Sequence, residues 1–288
     1  MKSDNRAKVA SASRMVLVAA LSVFFVSVGA AVAQAQESCS GRVELWFLND
    51  ESTSVTDTEF SDAKSFISSV ASSFAYDEST GFRGSLIGWE DSPTLLSGLT
   101  DQFTTVASTY SRGGRDGYTY PGAAFDYVAD ALTNYDGSAY ASSSGEPARE
   151  GVPSIVVFLT DADGVDSAIG RVRDASQLRA SASAIRNAGH EVVVMLIAEA
   201  ASRYTLGDGD YEANFYSLMN EVAGSAGNVV VGDTYANIAQ PTQGYISDLS
   251  SRICSVAEQL SPALPPVVSR MLWKFPGGAL RACEGSVF

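Results

Sequence analysis

The chain alternates between short apolar runs and longer segments in which apolar residues recur every three or four positions. The short runs are β-branched or aromatic in character, which predicts strands over 43–48, 86–89, 155–159, 191–197 and 228–231. The longer segments predict helices over 57–75, 101–110, 123–132, 174–188, 211–223 and 243–255. Thr94-Leu95-Leu96 follows turn residues and predicts a short strand that pairs with 86–89 as a hairpin.

This alternation of strands and helices is typical of an α/β protein. We predict a doubly wound, mostly parallel sheet of about six strands with one short antiparallel edge strand and helices on both faces. The domain is expected to extend over residues 39–257. Residues 258–288 contain a proline-containing linker at 261–266 and no clear pattern after it, so we expect a disordered or truncated tail.

Residues 1–35 have the pattern of a secretory signal peptide. Four basic residues precede an almost wholly apolar run over 15–32: Lys2, Arg6, Lys8 and Arg14. Small-x-small patterns at 31–33 and 33–35 would suit signal peptidase. We therefore expect a secreted, extracellular protein. The apolar run is also long enough for an uncleaved anchor, and only in that case do we expect the chain to contact a membrane.

The charge balance narrows the classes of partner. The 288 residues include 33 acidic and 19 basic side chains, which gives a formal net charge of −14. Such an acidic surface argues against sequence-independent binding to nucleic acid and against anionic membrane surfaces, because both carry the same sign of charge. We expect no nucleic-acid partner.

Three cysteines agree with an oxidising compartment. Cys39 lies just before the first predicted strand and Cys254 lies near the end of the last predicted helix, so a disulfide between them would join the two ends of the domain. We predict this intramolecular pair. Cys283 is then left over in the tail, either free or paired elsewhere.

Three oxygen-bearing residues follow the first predicted strand directly. Asp50, Ser52 and Ser54 place one carboxylate and two hydroxyls at alternate positions, at the edge where open α/β sheets carry their sites. Oxygen ligands with little negative charge suit a hard cation such as Mg²⁺. Ser and Asp are also good helix caps and a helical segment follows, so this motif alone leaves a helix-cap interpretation open.

Two further segments come to the same predicted edge. Thr119-Tyr120-Pro121-Gly122 enters a helix, and Thr160-Asp161 ends the strongest apolar strand. Four residues flank the predicted site and either contact a partner or belong to a plain loop: Arg112, Arg115, Tyr118 and Tyr120.

Together the three segments resemble the metal-ion-dependent adhesion site of von Willebrand factor A-type (VWA) domains, which include the integrin inserted domains. That family has a hydrophobic strand ending Asp-x-Ser-x-Ser, a Thr-x-x-Gly entering a helix and a hydrophobic strand ending Thr-Asp-Gly. The resemblance covers about residues 39–254, and the flanking cysteines are similar to those of secreted and adhesive members. Ala162 replaces the usual Gly and Asn49 is unusually polar, but neither change removes a ligand oxygen.

The resemblance implies a role for each residue. Ser52, Ser54 and Thr119 would supply hydroxyl ligands to Mg²⁺ or Mn²⁺, and Asp50 and Asp161 would act directly or through water. Few charges would touch the ion, so a Glu or Asp of a protein partner would complete its octahedral shell. We therefore expect a divalent-cation-dependent protein-binding or adhesion module that is not an enzyme, since no nucleophile–base pair accompanies the site.

Two alternative functions stay open at this point. The domain would otherwise be a substrate-positioning fragment of a larger secreted enzyme or assembly, or a structural matrix component with a vestigial site. The single histidine, His190, lies at a strand start without partners for a zinc site or a Ser-His-Asp site, so we expect it to be structural.

Overall fold

The computed structural model describes residue 39 and residues 41–113, 120–133, 148–161, 165–166, 171–172, 175–197 and 210–260. The predicted signal peptide, most of the predicted tail, Cys283 and Thr119 lie outside these residues. No helix within the described part of the chain combines the length and the apolar character needed to cross a membrane.

A six-stranded sheet forms the centre of the fold. Its strands are β1 (Glu44–Asp50), β2 (Arg83–Trp89), β3 (Pro93–Thr100), β4 (Ser154–Thr160), β7 (Glu191–Ile197) and β8 (Val229–Gly232), and a separate two-stranded ladder contains β5 (Val165–Asp166) and β6 (Arg171–Val172). The order across the main sheet is β3-β2-β1-β4-β7-β8, in which β3 alone runs antiparallel to its neighbour. This confirms the predicted fold class.

Helices cover both faces of the sheet. They are α1 (Asp57–Ala71), α2 (Phe103–Thr109), α3 (Pro121–Thr133), α4 (Ala175–Asn187), α5 (Asp210–Ala223), α6 (Tyr235–Ile238) and α7 (Tyr245–Leu260), and Ala226–Asn228 and Pro241–Gln243 form 3₁₀ turns. Side chains of α1, α2, α6 and α7 contribute to one core cluster, and those of α3, α4 and α5 to the other.

Most elements differ from the sequence prediction by a few residues; α1, for example, ends at Ala71 and β2 starts at Arg83. Two of the differences have a clear physical reason. The edge strand β3 has eight residues, because its pairing with β2 continues across register shifts to Ser97 and Thr100, although Ser97 and Gly98 carry little strand signal of their own. Helix α7 starts two residues later than predicted, after Gly244 at φ +84°, and runs on to Leu260, since Val256 and Ala257 are buried.

The central strands are buried on both faces, as strands of a covered parallel sheet must be. In β1, Leu45 and Phe47 belong to one core cluster, whereas Trp46 and Leu48 belong to the other. Successive side chains of a strand point to opposite faces, which explains this division. Trp46 and Trp89 both belong to the core.

A buried ion network closes the amino end of β1. The Glu44 carboxylate is fully buried and accepts hydrogen bonds from Arg83 Nε and Nη2, at 3.1 and 2.7 Å, and from the Arg149 backbone N–H and Nε, at 3.1 and 2.8 Å. Arg83 Nη1 also contacts Glu78 at 2.9 Å, and Arg149 donates to the Val43 and Gly81 carbonyls. The network joins three chain segments at the end of the sheet opposite Asp50.

The predicted disulfide between Cys39 and Cys254 is present. The two residues are 215 positions apart in sequence and their Cα atoms are separated by 5.1 Å. Cys254 lies in α7, so the bond joins the segment before β1 to the last helix. This is the arrangement that the cysteine positions predict.

His190 has a structural partner. Its Nδ1 accepts a hydrogen bond from the Ser154 backbone N–H at 3.0 Å, at the amino ends of β4 and β7. A ring nitrogen accepts a hydrogen bond only when it is unprotonated, and burial lowers the pKa of His190, which favours that neutral form. The side chain therefore orients two strand starts, as expected for a structural histidine.

Candidate metal site

The site begins at the end of the central strand. Asp50 is the last residue of β1, where the chain turns towards α1. Strands β2 and β4 flank β1 on either side and run parallel to it, so three carboxyl ends meet at this point. The order β3-β2-β1-β4-β7-β8 changes direction between β1 and β4, and ligand sites of open α/β sheets form at such switch points.

Hydrogen bonds bring the first three predicted ligands together. The backbone N–H and the hydroxyl of Ser52 both donate to Asp50 Oδ1, at 3.0 and 2.7 Å. Ser52 Oγ and Ser54 Oγ are 2.8 Å apart. Thr160 Oγ1, from the neighbouring strand β4, donates to Asp50 Oδ2 at 3.3 Å. Both carboxylate oxygens are therefore held in place, and three of the predicted ligand groups form one cluster.

Asp161 lies at the same edge. It follows directly after Thr160 and is buried. Tyr235, which begins α6 after β8, is near enough to both Asp50 and Asp161 that their negative charges, after burial, raise its pKa. Asp161 thus approaches the Asp50 cluster from the adjacent strand.

Thr119 lies outside the described residues, but the residues on both sides of 114–119 are anchored at this edge. The Gly113 N–H donates to Glu51 Oε2 at 2.7 Å, and the Tyr120 N–H donates to the Glu90 carbonyl at 3.1 Å. Helix α3 begins at Pro121, as the resemblance to Thr-x-x-Gly predicts. Thr119 as a ligand stays a prediction.

The helix-cap interpretation of Asp50, Ser52 and Ser54 is wrong, because another residue caps α1. Thr56 Oγ1 accepts from the Glu59 N–H at 3.3 Å, and Glu59 Oε2 accepts from the Thr56 N–H at 2.8 Å, which completes a capping box. Helix α1 accordingly begins at Asp57 and not near Ser54. The side chains of Asp50, Ser52 and Ser54 therefore do not cap α1.

Burial governs the charge of Asp50. It raises the pKa of this carboxyl to about 6, although the hydrogen bonds from Ser52 and Thr160 and the positive charge of Arg112 act in the opposite direction. A cation bound beside the carboxylate would offset the cost of keeping a charge in this environment. The electrostatics of the cluster therefore suit a bound cation.

The chemistry of the cluster favours a hard ion. Nowhere in the described ranges do three or more His, Cys, Asp or Glu side chains gather as a metal-binding group. The Asp50 cluster instead combines one carboxylate with serine hydroxyls, a donor set that suits Mg²⁺ or Mn²⁺ better than a soft or thiolate-bound metal.

Comparison with known families agrees with this geometry. The model of the von Willebrand factor type A domain matches residues 44–240, from the start of β1 to just beyond α6. The chain belongs to the VWA family. The matched range contains the Asp50 cluster, Thr119 and Asp161, and it ends before α7.

Solved structures share the fold of this VWA domain. Two structures of proximal thread matrix protein 1 from the mussel byssus match with TM-scores of 0.53 and 0.52 at 16% and 17% sequence identity. The second has a zinc-occupied metal-ion-dependent adhesion motif. Each match covers 75% of this chain and 47% of the mussel chain, so this chain spans about half the length of those proteins.

Sequence reasoning missed some supporting residues of the VWA site. Arg112 was expected to contact a partner or to belong to a plain loop, but its side chain is packed against the loop that carries Ser52. Thr160 was noted as part of the motif without a role, and it holds Asp50. The one signal for Arg112 was its position just before the Gly-rich loop that precedes Thr119.

Asn49, the polar residue before Asp50, carries a stability cost that a substitution would remove. Its side chain is fully buried, and within the described structure neither Oδ1 nor Nδ2 has a hydrogen-bond partner. We expect Asn49→Val to raise the free energy of unfolding by about 1 kcal/mol, because burying an unpaired amide costs about 1–3 kcal/mol. Urea denaturation followed by tryptophan fluorescence measures the change.

Asn49→Asp is the matched control for this substitution. It keeps the size of the side chain and adds a buried charge, so it should destabilise the domain. A loss of stability in Asn49→Val would contradict the prediction, since it would mean that the amide is hydrogen bonded in solution.

Proposed function

We propose that this VWA domain is a divalent-cation-dependent protein-binding module. Its ion, Mg²⁺ or Mn²⁺, would be held by Asp50, Ser52 and Ser54 from the β1–α1 loop, Asp161 from the end of β4, and Thr119. The observation that carries the proposal is the spacing of the first three oxygen-bearing side chains at the carboxyl end of the central strand.

That spacing matches a small octahedral shell. With Mg²⁺–oxygen distances of about 2.0–2.1 Å, neighbouring ligand oxygens lie about 2.9 Å apart. The distances from Ser52 Oγ to Asp50 Oδ1 and to Ser54 Oγ are 2.7 and 2.8 Å. These hydrogen-bond distances are close to that spacing, so Ser52 Oγ could share one edge of a shell with Asp50 Oδ1 and another with Ser54 Oγ. The bound ion would act as a Lewis acid that attracts an anionic oxygen.

A partner's carboxylate fits the charge of this shell. If Asp50 and Asp161 act through water, the hydroxyls that touch the ion carry no charge, so the ion would stay electrophilic and attract a Glu or Asp side chain of a partner. Membership of the VWA family, whose domains are generally interaction modules, also favours binding over catalysis. We therefore propose a protein ligand that presents Glu or Asp.

We further propose that the protein acts outside the cell. The signal-peptide pattern of residues 1–35 and the disulfide between Cys39 and Cys254 support this location. Structural disulfides form and persist in oxidising compartments and are rare in the cytosol.

A second candidate is a structural matrix component in which the site is vestigial. The fold is shared with a matrix protein of mussel byssal threads, which supports this alternative. We rank it second because the oxygens of Asp50, Ser52 and Ser54 lie together with a spacing that suits an ion.

Titration of Mg²⁺ and Mn²⁺ into the purified protein tests the leading proposal. We expect calorimetry to detect metal binding by the unmodified protein. Asp50→Ala should lower the metal affinity by at least about 100-fold, because a charged ligand is removed from the shell. Asp77→Ala is the matched control, since Asp77 is an exposed aspartate whose Oδ1 accepts four hydrogen bonds in a turn before β2.

Two results would contradict the proposal. Equal metal binding by Asp50→Ala and by the unmodified protein would remove the site. If the protein captured a partner that presents Glu or Asp equally well with and without EDTA, partner binding would not depend on the ion.

A further inference from the structure

Reciprocal contacts join the loop of the metal site to the segment at 110–113. Arg112 donates from Nε and Nη2 to the Glu51 carbonyl, at 3.2 and 2.7 Å, and from Nη2 to the Ser52 carbonyl, at 2.5 Å. In the opposite direction, the Gly113 N–H donates to Glu51 Oε2 at 2.7 Å. Each segment therefore holds a side chain of the other. We call this set of contacts the Arg112–Glu51 clamp.

Both side chains of the clamp are withdrawn from solvent. The Arg112 side chain is 9% exposed. Its guanidinium carbon lies 5.6 Å from the centre of the Phe60 ring, and its Nη1 lies 3.7 Å from Asp57 Oδ1. Lys64 Nζ donates to the Tyr110 carbonyl at 2.6 Å and ties the start of the same segment to α1. The clamp thus packs against α1.

The absence of a side chain at Gly88 leaves room for the buried Glu51 carboxylate. A Cβ atom at position 88 in β2 would lie 2.5 Å from the carboxyl carbon of Glu51, so a larger residue there would displace this carboxylate. Glu51 is 1% exposed. Burying the Glu51 carboxylate and the Arg112 guanidinium has a desolvation cost, which a solvent-exposed plain loop would not carry.

The clamp acts on the backbone between the ligand residues. Asp50, Ser52 and Ser54 present oxygens to the metal site, while the carbonyls of Glu51 and Ser52 are directed to Arg112. A planar guanidinium fixes two carbonyls at once, which a lysine ammonium does not do with the same geometry. Fixing these two peptide groups fixes the direction of the side chains on either side of them.

We propose that Arg112, together with Glu51, is a positioning residue of the metal site. It holds the Asp50–Ser54 loop in the shape that gathers three ligand oxygens, and it fastens that loop to the segment that leads to Thr119. This inference rests on the proposed function, since it presupposes that the cluster binds a cation.

A role of Arg112 through its charge and a role through its position predict opposite effects of its substitution on metal affinity, so the two roles can be distinguished. The guanidinium is a cation and repels a metal ion, so if its charge alone mattered, Arg112→Gln would tighten metal binding and Arg112→Lys would leave it unchanged. If position matters, both variants weaken binding. Residues that orient metal ligands typically contribute about 10–100-fold to metal affinity.

The experiment titrates Mn²⁺ into the full chain and follows the ion by electron paramagnetic resonance and water-proton relaxation. We expect Arg112→Lys and Arg112→Gln to weaken Mn²⁺ binding by about tenfold or more. We also expect the remaining bound Mn²⁺ to carry more exchangeable water, as a serine hydroxyl leaves the shell. A purely structural role would not change that water count.

Arg83→Lys is the matched control. Arg83 is also a buried arginine that donates two hydrogen bonds to one residue, but it binds Glu44 at the opposite end of the sheet. We expect it to lose stability and keep the Mn²⁺ affinity of the unmodified protein. Glu51→Ala, which removes the acceptor for Gly113 and retains Arg112, is a second variant, and it should weaken Mn²⁺ binding as well.

The outcomes separate this inference from the proposed function. Unmodified affinity in both Arg112→Lys and Glu51→Ala, or tighter binding in Arg112→Gln, would overturn the positioning role and leave the metal site standing. Mn²⁺ binding that is the same in Asp50→Ala and in the unmodified protein would overturn the metal site itself. Both the positioning role and the metal site are supported if the Arg112 and Glu51 variants bind Mn²⁺ more weakly and with more bound water, while Arg83→Lys keeps the affinity of the unmodified protein.

Discussion

Glu44→Gln should lower the free energy of unfolding by about 3–5 kcal/mol, which is a large share of the about 5–15 kcal/mol that stabilises a typical domain. The Glu44 carboxylate is fully buried and lies between the guanidinium groups of Arg83 and Arg149, which are themselves 2% and 8% exposed. Gln has the same shape but no charge, so the two arginines would lose the buried counter-ion that they share, and Arg83 would be left with its contact to the exposed Glu78. Urea denaturation of the oxidised protein measures the loss.

Glu78→Gln is the matched control for this substitution. Glu78 contacts the same Arg83 at 2.9 Å, but its side chain is 53% exposed. Water screens such a pair, so its removal should cost less than about 1 kcal/mol. If Glu44→Gln lost no more stability than Glu78→Gln, the buried network would not hold the amino end of the sheet together.

Breaking the disulfide should cost about 2–5 kcal/mol, the range found when native disulfides are removed. The bond closes a loop between residues 215 positions apart, and long loops restrict the unfolded chain most in the chain-entropy model. The Cys39→Ser/Cys254→Ser double variant should therefore unfold at lower urea concentration than the unmodified protein. The same shift should follow when the unmodified protein is reduced with dithiothreitol.

Cys283→Ser separates this effect from the general loss of a thiol. Cys283 takes no part in the bond between Cys39 and Cys254, so its substitution should leave the urea midpoint unchanged. Destabilisation by Cys283→Ser as large as that of the double variant would show a different pairing in solution. Addition of dithiothreitol to the double variant should produce no further shift.

The sequence predicted the elements whose signal is local. The bounds 191–197 coincide with β7, and the strand over 155–159 differs from β4 by one residue at each end. Both strands are continuous apolar runs in the middle of the sheet, where burial on two faces leaves no alternative pattern. Elements at the edge of the sheet were predicted less completely, because the length of β3 depends on its pairing with β2, and the four-residue α6 has no periodic pattern.

The cluster of the proposed metal site was predictable for a similar reason. Asp50, Ser52 and Ser54 lie at alternate positions directly after a buried strand, so a short stretch of sequence contains the whole cluster. Thr160 and Asp161 were found because they end a second strong strand. The parallel pairing of β1 and β4 then brings the two ends to one edge.

The supporting contacts were not predictable, since each joins residues far apart in sequence. Arg112 reaches the Glu51 carbonyl across 61 positions, and Arg149 reaches Glu44 across 105. Neither arginine lies in a periodic pattern, and a single sequence contains no signal that pairs a charged residue with a distant carbonyl or carboxylate. The sequence alone does not explain Gly88 either. The Glu51 carboxylate packs against position 88, and this contact exists only in the folded domain.

The disulfide also decides where a pulling force would act on this domain. Although 215 positions separate Cys39 from Cys254 in sequence, their Cα atoms are only 5.1 Å apart. Tension applied between the chain before Cys39 and the chain after Cys254 therefore passes through one covalent bond and bypasses the sheet. The hydrogen bonds between strands carry none of that load, and the loop from Asp50 to Ser54 keeps its shape while the chain is stretched.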